Sequence, residues 1–418
     1  MALPFSRVCV VGLGYIGLPT AAVLASRGVE VIGVDVSPNV VNTLKAGGIH
    51  IVEPELDIVV RSVVEGRRLR PVAIPEPADA FVIAVPTPFK AGYKPDLSYV
   101  EAAAASVAKV LAKGNLVILE STCPVGTTWQ VARWLAQARP DLSFPHQAGS
   151  DADVSIAYCP ERVLPGRALR ELVENDRVVG GMTPACGQRA KALYEIFVSG
   201  KCLVTDANTA EMVKLTENAF RDVNIAFANE ISLVCDKLGI DVWQLIRLAN
   251  HHPRVKILQP GPGVGGHCIA IDPWFIVDSA PELARLIRTA REVNDGKPSF
   301  VLDKVRAAVR QANAAKPVIA CLGLSFKAGV DDLRESPAVE IVHQLATEGI
   351  AELHVAEPHI DRLPRQLQEF NSVRLTGAEQ AVRAAQVVLL LVNHKAFAAI
   401  PRECLAGKKV IDTRGFWQ

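Results

Sequence analysis

Residues 7–35, RVCVVGLGYIGLPTAAVLASRGVEVIGVD, leave this chain few folding choices. An apolar run leads into Gly12-Leu13-Gly14-Tyr15-Ile16-Gly17, an Ala/Leu-rich helical stretch follows, Gly28 stands where that helix should stop, and a second apolar run ends on Asp35. This order predicts a βαβ unit with two parallel strands, since a helical crossover joins them. The glycines have separate tasks: a tight turn, close approach of backbone to a pyrophosphate, and close packing of helix on strand. Asp35, twenty-three residues beyond Gly12, can accept hydrogen bonds from a ribose diol, and its charge would repel a 2′-phosphate. A lone glycine triplet could be a structural turn. In this setting it points to NAD, with Gly12, Gly14, Tyr15, Ile16, Gly17 and Asp35 as cofactor contacts.

The same theme recurs. FVIAVPTP (81–88), NLVILESTCPVGT (115–127) and VSIAYCPE (154–161) each read as a buried strand ending in Pro, Thr, Ser or Glu, as at the carboxyl edge of a parallel sheet. Residues 1–200 are therefore expected to form a doubly wound NAD-binding domain. From Thr205 to Leu238 the pattern becomes one long helix, with Asp206 or Asn208 as cap and Gly239 as stop. With a further helical stretch over 281 to about 313, residues 201–313 form the expected central helical domain, its long helix a spine or subunit interface. Beyond Lys316-Pro317, VIACLGLSF, AELHVAEP, QVVLLLV and KKVIDTRG supply a second set of parallel-strand signals over 314–418. The expected fold is α/β: two Rossmann-like doubly wound domains joined by a central helical domain.

Forty-five basic residues against forty-four acidic ones give a formal charge of +1, so no electrostatic footprint for nucleic acid or an anionic membrane exists. MALPFSRVCVVGLGYIG runs straight into a strand-like segment, so no signal peptide is expected, and no uninterrupted run of about 18 apolar residues appears later. Nine scattered cysteines without a CxxC pair fit a reducing compartment, and the expected location is cytoplasmic.

Two further features carry chemistry. Glu211, Lys214 and Asn218 share a face of the long helix, which by itself reads as a solvated face or an ion pair. Facing a ligand, Lys214 and Asn218 would instead offer two donors to an oxyanion. In GPGVGGHCIAIDPWF (261–275), glycines 261, 263, 265 and 266 should let another molecule approach the backbone beside Cys268. A metal site is not expected, because His267 and Cys268 are adjacent and no second ligand cluster has suitable spacing. Cys268 is the candidate nucleophile, against the alternative of a cysteine packed in a tight turn.

The stretches GLGYIGLPTA, VPTP, ESTCPVGT, YCPERVLPG, AEMVKLTENAFRDVNIAFANE, GPGVGGHCIAIDPWF and FKAGVDDLRESPA, in this order, resemble the nucleotide-sugar 6-dehydrogenases over nearly the whole chain. The resemblance implies oxidation of a sugar C6 alcohol to a carboxylate with two NAD, through a Cys268 thiohemiacetal and thioester, for bacterial surface polysaccharide. It implies that Lys214 and Asn218 stabilise oxyanions, Asp272 acts on water near the thiol, and Glu161 with Thr122 assists hydrolysis. Thr87, Thr122 and Arg334 become cofactor contacts. Glu161, Arg162, Lys214, Asn218, Arg254, Gly265 and Lys327 become contacts to the UDP-sugar, Arg254 from a neighbouring subunit of a homodimer or dimer of dimers. Ile271 and Pro165 replace a lysine and a glutamate usual in UDP-glucose relatives, which moves the expected substrate to UDP-N-acetyl-D-mannosamine, ahead of UDP-N-acetylglucosamine or UDP-glucose. Two other readings compete: a single-step hydroxyacid dehydrogenase of the 6-phosphogluconate type, and a non-catalytic nucleotide-binding regulator.

Overall fold

The computed structural model describes residues 4–51, 53–163, 166–266, 268–312, 314 and 316–417. The chain divides into two compact units, Met1–Glu217 and Asn218–Gln418, the division falling inside the helix Ala207–Leu238.

In the first unit the strands are β1 (Arg7–Val11), β2 (Glu30–Val34), β3 (Leu69–Val72), β4 (Ala80–Ile83), the small hairpin β5 (Phe89–Lys90) and β6 (Lys94–Pro95), β7 (Leu116–Leu119), β8 (Ser155–Tyr158), β9 (Arg177–Gly181) and β10 (Cys202–Asp206). Apart from the hairpin they form one sheet in the order β10-β9-β8-β7-β4-β1-β2-β3. Within β1, Val8 and Val10 face one core cluster while Cys9 and Val11 face the other, the period-two signature of a strand buried on both faces. All pairings are parallel except β8 with β9. That reversal is not visible in the apolar runs.

Asp206 ends β10, so the long helix starts two residues later than the sequence pattern suggests; the Asp206 carboxylate accepts the Thr209 amide at 2.9 Å. At the other end Gly239, at φ 68°, stops the helix as expected.

The second unit holds the rest of that helix, the helices Val242–Ala249, Asp272–Ser279 and Arg285–Arg310, and a parallel sheet of β11 (Val318–Leu322), β12 (Glu352–Ala356), β13 (Val373–Leu375), β14 (Val387–Leu390) and β15 (Lys409–Asp412). Its order is β13-β12-β11-β14-β15. One face, through Ile319 and Cys321, packs on Val301, Leu302 and Val305 of Arg285–Arg310 and on the helix Pro337–Glu348. The other, through Ala320 and Leu322, packs on Ala381, Val382 and Phe397. The helix expected over 281–313 is thus Arg285–Arg310, and Asp272–Ser279 is a helix the glycine-rich sequence before it obscured.

Candidate active site

The glycine turn of the first unit is built as its spacing predicts. Gly12 sits at φ 93°, and a Cβ there would lie 2.5 Å from the Ala84 carbonyl oxygen, so only glycine fits. A Cβ at Gly17 would come within 1.8 Å of the Gly12 oxygen, which is why the helix Gly17–Ser26 can start against the strand. Gly14 differs: nothing lies within 4 Å of its Cβ direction, leaving a cradle open to a ligand. Tyr15 and Ile16, both half-buried, flank it. Asp35 accepts the Leu13 amide at 3.0 Å and the Ser37 amide at 2.9 Å, keeping lone pairs for a diol. These residues suit the adenosine diphosphate half of NAD.

At the same sheet edge Thr87 donates its hydroxyl proton to the Thr122 carbonyl, tying the loop after β4 to the loop after β7. Glu161 is buried. Its Oε2 pairs with Arg177 Nη2 at 2.8 Å, and its Oε1 accepts the Arg162 amide at 2.6 Å. The Arg162 guanidinium pairs with Glu217 at 2.6 Å and reaches the Asp176 carbonyl at 3.0 Å. Lys214 is half-buried on the long helix.

Glu211 corrects the reading of its helix face as solvated. It is fully buried, accepting the amides of Gly126 and Thr128 and the Thr128 hydroxyl at 2.6–2.7 Å, and so caps the helix Thr127–Ala138. Burial raises its pKa, and those hydrogen bonds oppose the rise.

In the second unit Cys268 is exposed, alone among the cysteines. Its carbonyl accepts the amides of Ile271 and Asp272 at 3.0 and 2.8 Å, so the chain turns directly into Asp272–Ser279. Asp272 is buried, and Asn218 donates its side-chain amide to Asp272 Oδ2. Cys268, Asp272 and Asn218 therefore belong to one local arrangement. His267 and Pro165 lie outside the described residues.

The glycines of this loop serve another purpose than the one expected. Cβ atoms at Gly261, Gly263, Gly265 and Gly266 would meet Arg414 at 2.5 Å, Pro337 at 2.9 Å, the Glu335 oxygen at 2.4 Å and Phe326 at 3.0 Å. The chain's own 325–337 segment and Arg414 occupy the space, so Gly265 is a packing residue here. The Gly266 amide also donates to the Arg334 carbonyl at 3.2 Å. This packing carries Lys327 and Arg334 alongside the cysteine loop; Arg334 pairs with Asp332 at 2.6 Å, and the Lys327 ammonium lies 5.9 Å from the Phe326 ring centroid. Arg254 is exposed, its amide donating to His252 Nδ1 at 3.3 Å.

Sequence reasoning missed the polar network under this loop. Buried Arg291 pairs with Asp222 at 2.7 Å and reaches the Ile269 carbonyl at 3.5 Å; Asn294 donates to Asp222 Oδ1 at 2.8 Å; Asn229 donates to Asn294 and accepts the Gly261 amide, both at 2.8 Å. Burial raises the Asp222 pKa and Arg291 opposes it. The helical spacing of these residues was the available signal, but polar side chains on helices read as surface. Also missed was Glu357, which accepts the amides of Leu324 and Ser325 at 2.8 and 3.0 Å and faces His394 Nε2 at 3.1 Å. His394 Nδ1 accepts the Gly329 amide at 3.2 Å, so Nε2 carries the ring proton and the group is satisfied without an ion.

Comparison with known proteins matches three consecutive domains of the UDP-glucose/GDP-mannose dehydrogenase family: the NAD binding domain over residues 6–198, the central domain over 208–296 and the UDP binding domain over 320–418. The chain is 62% identical over 415 residues to an NDP-N-acetyl-D-galactosaminuronic acid dehydrogenase of Ralstonia nicotianae, covering 99% of this chain and 97% of that one. It is 59% identical over 422 residues to the UDP-N-acetyl-D-mannosamine dehydrogenase of Yersinia pestis, covering both completely. Among solved structures, the UDP-N-acetyl-D-mannosamine dehydrogenase of Pyrococcus horikoshii superposes with a TM-score of 0.89 at 39% identity, over 99% of this chain and 96% of that one.

Proposed function

The chain belongs to the UDP-glucose/GDP-mannose dehydrogenase family, and from that premise we propose that it oxidises C6 of UDP-N-acetyl-D-mannosamine to the carboxylate. It is an NAD-dependent oxidoreductase acting on a UDP-sugar. NAD, when bound, accepts a hydride in each of two oxidations. The observation that carries the proposed route is the exposed Cys268, one helical turn before buried Asp272, which in turn holds Asn218.

In this reading the first oxidation yields an aldehyde, which the Cys268 thiolate captures as a thiohemiacetal. That step keeps a hydrogen on a tetrahedral carbon, which the second oxidation removes to leave a thioester. Lys214 and Asn218 donate to the oxyanion formed at each stage. Asp272, with Glu161 and Thr122, handles the water that releases the acid. Gly12, Gly14, Tyr15, Ile16, Gly17, Asp35, Thr87, Thr122 and Arg334 hold NAD, while Arg162, Arg254 and Lys327 contact the UDP-sugar. The single-step reading leaves the exposed thiol without a task. The regulator reading conflicts with family relatives that are dehydrogenases over their full length.

The mannosamine assignment draws on the Yersinia and Pyrococcus relatives; the Ralstonia relative favours a second reading, an N-acetylgalactosamine nucleotide. A substrate panel separates them. UDP-N-acetylmannosamine should give the highest kcat/KM, and UDP-glucose should lose most, because a pocket built for an N-acetyl group leaves polar partners unpaired when a hydroxyl arrives. A preference for UDP-N-acetylgalactosamine, UDP-N-acetylglucosamine or UDP-glucose would reassign the sugar and leave the chemistry standing.

A homodimer, alone or paired into a tetramer, is part of the same proposal. Phe220, Phe227, Val234 and Leu238 stand 71%, 53%, 46% and 64% exposed along the long helix, at heptad-related spacing that suits a second copy. Sedimentation of an active monomer would remove this interface and the role of Arg254 in trans. We also place the enzyme in the cytoplasm, in keeping with seven buried cysteine thiols. No helix among the described residues is long and apolar enough to cross a membrane.

A further inference from the structure

The parallel strands of the first unit end at one edge, where doubly wound sheets bind ligands. Strand β9 runs against β8, with Ala157 opposite Gly181 and Tyr158 opposite Gly180. Continuing that register sets Glu161 opposite Arg177, the first residue of β9. β9 therefore begins at the edge where β8 finishes, and it begins with a cation.

The Arg177 side chain, 4% exposed, lies between two carboxylates. Nη2 donates to Glu161 at 2.8 Å; Nη1 reaches Glu120 at 3.4 Å and Cys159 Sγ at 3.8 Å. The rings of Tyr194 and Phe197 close over the guanidinium at 4.7 and 5.4 Å. The two acids are held unequally. Glu161 has a short ionic hydrogen bond plus the Arg162 amide, whereas Glu120 has a long contact and two neutral hydroxyls, Tyr194 at 3.2 Å and Thr20 at 3.3 Å. Two ionised carboxylates around one guanidinium would bury an uncompensated negative charge, so the more weakly held acid keeps a proton.

We propose that Arg177 positions Glu161 for hydrolysis of the Cys268 thioester, and that Glu120, drawing on the same guanidinium, sets how firmly Arg177 holds Glu161. The proposal rests on the role given to Glu161 above. With Glu120 protonated, Arg177 is committed to Glu161. With Glu120 ionised, the guanidinium is divided between the two acids and its hold on Glu161 loosens, leaving that carboxylate available to the water. During hydrolysis, water oxygen bonds to the thioester carbon, one water proton passes to Glu161, and the C–S bond breaks with its electrons on sulfur. The products are the sugar acid, the Cys268 thiolate and protonated Glu161.

The groups facing Glu120 are Arg177, Glu161, Tyr194, Cys159 and the Thr20 hydroxyl. Burial pushes Glu120 up to about 7, Arg177 opposing and Glu161 adding to the rise. Burial also holds Tyr194 well above its ordinary value and Cys159 up at about 12, so both stay neutral in this range. Thioester hydrolysis should therefore quicken as pH rises through about 7.

The test compares Arg177→Met, Arg177→Lys, Glu120→Gln and Glu161→Gln in the full-length enzyme, following first-turnover NADH formation, steady-state turnover and the intact mass of the chain. Arg177→Met should form its first NADH at close to the wild-type rate, then turn over roughly 10- to 100-fold more slowly with sugar covalently retained, part of what a general base contributes. Arg177→Lys should recover part of that loss. Glu120→Gln should keep the first turnover and abolish the rise in hydrolysis across neutral pH; being isosteric, it decides the matter even if Arg177→Met folds poorly. Equal slowing of both phases in the Arg177 variants, or an unchanged pH limb in Glu120→Gln, overturns the proposal. If Glu161→Gln itself hydrolyses normally, the role of Glu161 is wrong; if it is slow while the Arg177 variants are normal, only the present proposal fails.

Discussion

The two sheets of this protein begin with the same turn, put to opposite uses. Gly12 after β1 and Gly323 after β11 both sit at φ 93°, and both donate their amide at 2.8 Å to the last carbonyl of the neighbouring strand, Val34 or Ala356. The next residue donates to the acid that follows that strand: Leu13 to Asp35 at 3.0 Å, Leu324 to Glu357 at 2.8 Å. There the likeness stops. Asp35 is half-exposed and Gly14 leaves an open cradle. Glu357 is buried, takes a second turn amide from Ser325, and faces His394; the next helix waits until Pro337. One turn is left open for a dinucleotide, and the other is closed by the protein's own carboxylate and imidazole. A βαβ turn thus becomes a binding site by what the chain leaves out of it.

The strongest break in this comparison comes from the turn glycines. A Cβ at position 12 would lie 2.5 Å from the Ala84 oxygen, and one at 323 would lie 2.4 Å from Val392 Cβ. Gly12→Ala and Gly323→Ala should each cost roughly 2–6 kcal/mol, adding positive-φ strain to overpacking. In calorimetry both should melt early. In NAD titration only Gly12→Ala should lose binding, and equal loss in Gly323→Ala would erase the distinction between the turns.

The acids give the next largest effect. Asp35→Ala should weaken NAD roughly 10- to 100-fold, the loss of charge-assisted hydrogen bonds to a diol. Glu357→Gln should leave NAD affinity unchanged and alter stability instead. Burial opposes ionisation of Glu357, but His394 and the two amides outweigh it and hold its pKa below the ordinary 4.5. A lowered folded value means stability that is complete above the unfolded pKa and lost as pH falls through the folded one. Melting curves of wild type and Glu357→Gln should accordingly converge on acidification, and a gap that widens instead would contradict the account. Gly14→Ala sharpens the comparison with the smallest change. With room around its Cβ, its stability should stay within about 0.5 kcal/mol of wild type while NAD affinity falls; unaltered affinity would mean that the cradle holds nothing.

Much of this was legible in the sequence, for reasons particular residues make plain. The apolar runs, Gly12 and Asp35 state the first βαβ unit outright, because strand period, turn and terminal acid all agree. The second turn carries no glycine motif, because Ser325 stands where a second glycine would be and Lys327–Glu335 intervenes before the helix. The reversed strand β9 escaped because RVVGG reads as a buried strand in either direction. Arg177, Asp222 and Arg291 escaped because burial of a charge is decided by its partners, and Glu120, Glu161 and Asp295 are distant or inconspicuous in sequence. The cysteine loop shows the opposite case: its glycines are conspicuous in sequence, but the groups they make room for, Phe326, Glu335, Pro337 and Arg414, lie far along the chain.

The central claim, a four-electron oxidation through Cys268, is tested most directly by supplying a limiting amount of UDP-N-acetylmannosamine with excess NAD and counting NADH at completion. The account predicts close to two NADH per sugar and one equivalent of acid for the wild-type enzyme, with no acid from Cys268→Ala. Close to one NADH per sugar, or a normal acid yield from Cys268→Ala, would contradict it.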